Sequence, residues 1–220
     1  MLNTTKSSPN RDIQLPFEPK NSPDVVISLR VNPPITSDIG TVVAIGASTG
    51  GIQVLESILE QLIPPRPPIL VVQHIPPIFS TAMAVRLDGI SRLKVKEAED
   101  GEIILDSHVY IAPGNRHLMI YKKGSQLFIK LNDGPKVSRH KPSVDVLFRS
   151  FANEIGNKAT GIILTGMGDD GSIGMKEMFD RGAKTFAQSK DTCAVFGMPK
   201  VAAEKGGVVA FLSPDQIANM

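Results

Sequence analysis

One cysteine in 220 residues, Cys193, excludes an internal disulfide framework, and no Cys/His spacing in the chain fits a zinc site. Long apolar runs are missing too: none approaches the roughly 18 residues of a spanning helix, and the first twenty residues carry no signal-peptide core. Nor is there an excess of one charge. With 24 Lys and Arg against 22 Asp and Glu the net charge is +2, and the basic residues are scattered, which argues against a nucleic-acid surface. A cytoplasmic protein is expected, with no membrane insertion and no nucleic-acid partner. Cys193 reads as a small buried hydrophobe rather than a reactive thiol.

What is present is ordinary for a globular chain: 41% hydrophobic and 21% charged residues, enough for one principal domain. Residues 1–38 hold six of the seventeen prolines and no sustained apolar period, and they read as a flexible tail or linker in which only residues 25–29 could form a short strand. The domain is expected over residues 39–220. There, apolar runs alternate with amphipathic stretches: VVAI before GGIQVLESILEQL, ILVV before a helix around residues 79–87, and GIIL before a helix around 173–180. Between residues 93 and 131 the segments LMIY and LFIKL flank the turn-rich KKGSQ, as in an antiparallel hairpin. The expected fold class is α/β: a doubly wound, mostly parallel sheet flanked by helices, with an antiparallel hairpin region at one edge.

Ligands of such sheets sit outside the carboxyl ends of the strands, so the residues at those ends carry the functional information. VVAI leads to Ser48, ILVV to His74, and GIIL to a turn holding Asp169 and Asp170. A hydroxyl, an imidazole and a carboxylate are the set that acyl transfer requires. GASTG around Ser48 fits G-x-S-x-G, whose glycines permit the sharp turn that exposes a serine beside backbone N–H groups. The chain order serine, histidine, acid differs from that of α/β-hydrolases. His140 with Asp100, Asp106 or Asp133 would restore the hydrolase order, but it lies in a loop before a helix. His108 and His117 flank a predicted strand and read as surface residues.

Two phosphate-binding readings compete. GASTGG begins like a Walker loop, but Ile52 stands where the lysine is needed. Residues 166–171, GMGDDG, match G-x-G-x-x-G, with Asp191 twenty residues beyond Gly171; two adjacent aspartates would there face a pyrophosphate. The segment 189–198 has the length of a functional loop.

IGASTGG, VVQHIPP, KEAEDGE, YIAPGNRHL, NDGPKVSRHKPSVD, ILTGMGDDG and FGMP, in that order, resemble the catalytic domain of the chemotaxis protein-glutamate methylesterase (CheB) family, without an N-terminal receiver domain. The resemblance implies a serine esterase with catalytic Ser48, His74 and Asp170, Asp170 being selected over Asp169 by the family motif. It implies oxyanion donors at the Thr49 and Met167 backbone N–H groups, and no cofactor or metal. The implied partner and substrate is the cytoplasmic domain of a methyl-accepting chemoreceptor, bearing glutamyl γ-methyl esters, with deamidation of receptor glutamines as a further activity. A monomer is expected. Residues 1–38 are too short for a receiver domain, so the chain is expected to be either a stand-alone esterase or a piece of a longer one. An adaptor that binds receptors without turnover and a dinucleotide-binding protein are the competing functions.

Overall fold

The computed structural model describes residues 19–32 and 39–220. In chain order these form β1 (Val42–Ala47), α1 (Gly51–Gln61), β2 (Ile69–Gln73), α2 (Ser80–Ile90), β3 (Lys94–Glu97), β4 (His108–Ile111), β5 (His117–Lys123), β6 (Gln126–Asn132), α3 (Val144–Glu154), β7 (Ala159–Ile163), α4 (Ser172–Asp180), β8 (Lys184–Gln188), α5 (Met198–Glu204), β9 (Ala210–Leu212) and α6 (Pro214–Ala218). Seven strands make one sheet in the order β3-β4-β2-β1-β7-β8-β9, and every pairing in it is parallel. The continuous apolar runs follow from this: β2 and β7 are buried along their whole length because helices cover both faces of the sheet. On one face Leu55, Ile58 and Leu59 of α1 pack with Met83 and Leu87 of α2. On the other lie α3, α4 and α5.

The expected hairpin is present as β5 and β6, joined across Gly124. Instead of adding strands to the edge of the large sheet it makes a sheet of its own. Leu118, Ile120 and Ile129 of the hairpin pack in one cluster with Leu147, Phe148 and Phe151, so α3 is sandwiched between hairpin and parallel sheet. Every residue of α3 is consequently buried, its polar ones included. Arg149 is matched by Glu177 on one side and by Asp24 at 2.6 Å on the other, and Glu154 by Arg30 at 2.7 Å.

Those partners correct the reading of residues 25–29 as a strand. Pro23–Val25 form a single 3-10 turn, N-capped by Ser22. The backbone beyond it is held by α3 side chains rather than by a neighbouring strand: Arg149 donates to the Ile27 carbonyl, Asn153 Nδ2 to that of Ser28, and the Arg30 N–H donates to Asn153 Oδ1. Residues 24–30, within the segment read as a tail, therefore lie along α3. Of that segment, residues 1–18 and 33–38 lie outside the described residues.

The start of α3 presses onto the sheet through Val144, directly over Gly46 of β1 and Gly171. A Cβ built on Gly46 would fall 2.2 Å from Val144 Cγ1, and one on Gly171, whose φ is +92°, 2.5 Å from the same methyl. Gly46→Ala is therefore expected to destabilise the fold by about 1–3 kcal/mol through overpacking. A lower urea midpoint at unchanged m-value would show this; an unchanged midpoint would mean that α3 does not rest on β1.

Candidate active site

Parallel register brings the first two candidate residues together. Ala47 pairs with Gln73, so Ser48 and His74 are the next residues on adjacent strands, and the His74 N–H donates to the Ala47 carbonyl at 3.0 Å. Ser48 is tied on both sides. Its N–H donates to the Thr165 carbonyl beyond β7, and its carbonyl accepts from the Gly51 N–H and from Gln73 Nε2 at 2.8 Å. The chain turns into α1 through Gly50, at φ +79°, where a Cβ would meet that of Ala194 at 2.6 Å. Gly166 gives room to the serine itself, since a Cβ there would fall 2.7 Å from Ser48 Cβ.

The loop after β8 braces this floor. Thr165 Oγ1 donates to the Thr49 and Val195 carbonyls and accepts from the Val195 N–H, while the Gly166 carbonyl accepts from Gly197 and Met198. Among the described residues, neither the Thr49 nor the Met167 N–H enters a backbone hydrogen bond. Both residues are exposed, Met167 to 67%.

Asp170 is fully buried and accepts four hydrogen bonds. Oδ1 takes those of Ser143 Oγ at 2.7 Å and the Asp145 N–H at 3.0 Å; Oδ2 takes those of the Val144 N–H and His74 Nε2, both at 2.8 Å. Its carboxylate thus caps the N-terminus of α3, where orphan N–H groups and the helix dipole favour negative charge. Burial pushes its pKa up, but the hydrogen bond from His74, then those from Ser143 and the Asp145 N–H, outweigh burial and lower it below the usual value. An ionised carboxylate only accepts, so His74 Nε2 must carry the proton in this pair. His74 Nδ1 is then the basic nitrogen; it is buried and has no partner among the described residues, Ser48 Oγ included.

The reciprocal contact comes from Asp145, in the first turn of α3. Its Oδ1 accepts from the Ile173 and Gly174 N–H groups at the start of α4, both at 2.9 Å, and its Oδ2 from Ser138 Oγ. Burial first, and the Asp170 charge second, raise its pKa well above the ordinary carboxylate value.

His117, read from the sequence as a surface residue, is fully buried. Pro135 and Ser143 close over it: Nε2 lies 2.9 Å from the Pro135 carbonyl, and Nδ1 accepts the Ser143 N–H. Burial lowers its pKa, so it is neutral with its proton on Nε2. It holds the residue whose hydroxyl holds Asp170. No strand-end pattern points to it, because its partners come from a separate loop.

His140 does not form a second triad. Asp100 accepts from the Leu131 N–H and Asp133 pairs with Arg116, while the Asp106 carbonyl is held by His108. Its ring lies instead flat on His74, with centroids 3.7 Å apart and planes 3° from parallel. Ligand atoms of His74, His140 and Asp170 cluster within 4.8 Å. An ion bonds an imidazole in its ring plane, however, and two stacked parallel rings cannot both aim at one ion without a ring swinging out.

The dinucleotide reading of residues 166–171 fails because the N–H groups of Ile173 and Gly174 at the start of α4, where a phosphate would sit, already donate to the Asp145 carboxylate. Cys193 is half-buried, and burial with nearby Asp191 raises its pKa to about 11, so it remains an unreactive thiol at neutral pH. A cavity of about 410 Å³ lies at the opposite end of the strands, lined by Thr41, Arg66, Lys184 and Met220 among others. It adds nothing to this site.

A family model described as CheB methylesterase matches residues 43–220. The chain is 50% identical over 196 residues to the protein-glutamate methylesterase/protein-glutamine glutaminase 1 of Geobacter metallireducens, covering 89% of this chain and 53% of that protein. It is 53% identical over 175 residues to the corresponding enzyme 2 of Dechloromonas aromatica, covering 80% and 49%. The chain thus spans about half the length of the curated relatives it matches. Among solved structures, the catalytic domain of Thermotoga maritima CheB methylesterase superposes with a TM-score of 0.79 at 40% identity, covering 82% of this chain and 98% of that one.

The raised pKa of Asp145 carries a pH signature. A carboxyl that binds its proton more tightly when folded stabilises most below the unfolded value of 3.8 and loses that stability as pH rises through the folded value. Asp145→Asn keeps an acceptor for α4 but removes this loss. The variant's stability relative to wild type is therefore expected to improve as pH rises from 5 to 8. Urea unfolding at both pH values measures it; a difference that does not change with pH would contradict the assignment.

Proposed function

The chain belongs to the CheB methylesterase family, and from that premise we propose that it hydrolyses glutamyl γ-methyl esters through Ser48, His74 and Asp170. The observation that carries this reading is the 2.8 Å hydrogen bond from His74 Nε2 to a buried, capped Asp170, with Ser48 next in register to His74. Asp170 fixes the tautomer, so Nδ1 is the nitrogen that takes the serine proton. The Ser48–His74 hydrogen bond forms when substrate is bound, as catalytic hydrogen bonds often tighten only then.

Ser48 Oγ attacks the ester carbonyl while His74 Nδ1 accepts its proton; collapse of the tetrahedral intermediate expels methoxide, which leaves as methanol with that proton. Water, deprotonated by His74, then attacks the glutamyl-serine ester, and the products are a glutamate carboxylate and free Ser48. The Thr49 and Met167 N–H groups are the proposed oxyanion donors, a role worth about 3–4 kcal/mol per donor in comparable sites. A glutamine carboxamide could enter the same acyl-enzyme with loss of ammonia, in keeping with the second activity in the relatives' names. No step calls for a metal or an organic cofactor.

The substrate we propose is the cytoplasmic helical region of a methyl-accepting chemoreceptor, which sets the enzyme in the cytoplasm. Exposed Ile78, Phe79 and Met167, on the connections that follow β2 and β7, offer apolar contacts for such a helix. Among the described residues no helix is long and apolar enough to cross a membrane.

Methanol release from methylated receptor membranes tests the assignment. Ser48→Ala is expected to abolish it and Asp170→Asn to lower kcat by about 10⁴-fold, since the asparagine amide cannot hold the same tautomer. Release by Ser48→Ala at the wild-type rate would sink the assignment.

A further inference from the structure

His140 takes no part in the mechanism above, yet it covers one whole face of the His74 ring at 3.7 Å and 3°. The backbone that delivers it is unusual. Val137 and His140 exchange hydrogen bonds, N–H to carbonyl at 3.0 and 2.8 Å, around Ser138 and Arg139, whose φ values are +49° and +68°. Two consecutive left-handed residues with these bonds make a type I′ turn, which favours glycine or asparagine at both central positions. Serine and arginine adopt it here because their surroundings hold the turn: Ser138 Oγ donates to Asp145 and its N–H to the Asn21 carbonyl. Strain of this kind, maintained beside a reactive centre, points to a purpose for the residue the turn presents.

None of the hydrogen bonds on Asp170 or His74 comes from that residue's ring. His140 Nδ1 is buried without a partner among the described residues, and burial together with the His74 ring beside it holds the His140 pKa below the usual imidazole value. A neutral ring laid flat on another ring excludes water from that face and blocks rotation about the Cβ–Cγ bond. Edge-on polar contacts would do neither. The His74 side chain is only 8% exposed.

We propose that His140 is a positioning residue for the esterase reaction: its stacked, uncharged ring clamps the His74 imidazole in the orientation that directs Nε2 to Asp170 and Nδ1 to the Ser48 side. This rests on the function proposed above for Ser48 and His74. Because the role belongs to the ring and not to its nitrogens, phenylalanine should replace His140 and alanine should not.

The test compares His140→Phe and His140→Ala with wild type in two assays. In methanol release, His140→Ala is expected to lower kcat by about 10- to 100-fold with KM little changed, the cost of a mispositioned base, and His140→Phe to stay within about threefold of wild type. The second assay is carbethoxylation of His74 by diethyl pyrocarbonate, mapped by peptide mass, which needs no esterase turnover. The alanine variant is expected to react about tenfold faster, and the phenylalanine variant like wild type. Normal kcat and normal His74 labelling in His140→Ala would overturn the proposal, as would His140→Phe being as impaired as His140→Ala in both assays. Failure of the esterase reading would show separately, as wild-type protein that releases no methanol.

Discussion

Asp170 and Asp145 each occupy the N-terminal turn of the other's helix. Asp170 lies just ahead of α4 and caps α3; Asp145 lies in the first turn of α3 and caps α4. A buried carboxylate left unpaired is too costly to persist in ionised form. Four donors on Asp170, at roughly 1.5–3 kcal/mol for each hydrogen bond to a charged group, make its ionisation tolerable. The same donors fix the orientation of its Oδ2 toward His74.

From this exchange of caps the rest of the site follows. The two helix starts are locked to each other, and Val144 at one of them rests on Gly46 and Gly171, where any side chain would collide. Helix α3 is held from outside by the hairpin and by residues 24–30, which satisfy its buried Arg149, Asn153 and Glu154. Behind Asp170, His117 fixes Ser143; in front of it, the carboxylate sets the His74 tautomer. The geometry of the proposed triad is thus an outcome of helix capping. The strand ends supply the residues, and the caps decide which atoms face each other.

How much of this could be read beforehand depended on distance along the chain. The glycine-flanked Ser48 and the strand-end His74 were legible because local signals, an apolar run and then a turn, bring each to the sheet edge. Asp169 and Asp170 were not separable by the residues themselves, since they share one turn; what distinguishes them is the start of α3, 25 residues away in the Asp145 hydrogen bond. His117 looked like the flank of an exposed strand because its burial depends on Pro135 and Ser143. His140 was set apart as a loop residue because only the tertiary fold carries its turn onto His74. The reading of residues 25–29 as a strand failed for a related reason: their backbone partners are side chains on a helix more than a hundred residues later.

The central claim is that a capped, ionised Asp170 makes Nδ1 the free base of His74. Nitrogen-15 NMR of the wild-type protein, with His74 assigned and neutral, tests it directly. The expected result is a pyrrole-type, protonated Nε2 and a pyridine-type Nδ1. The reverse pattern, with the proton on Nδ1, would contradict the account.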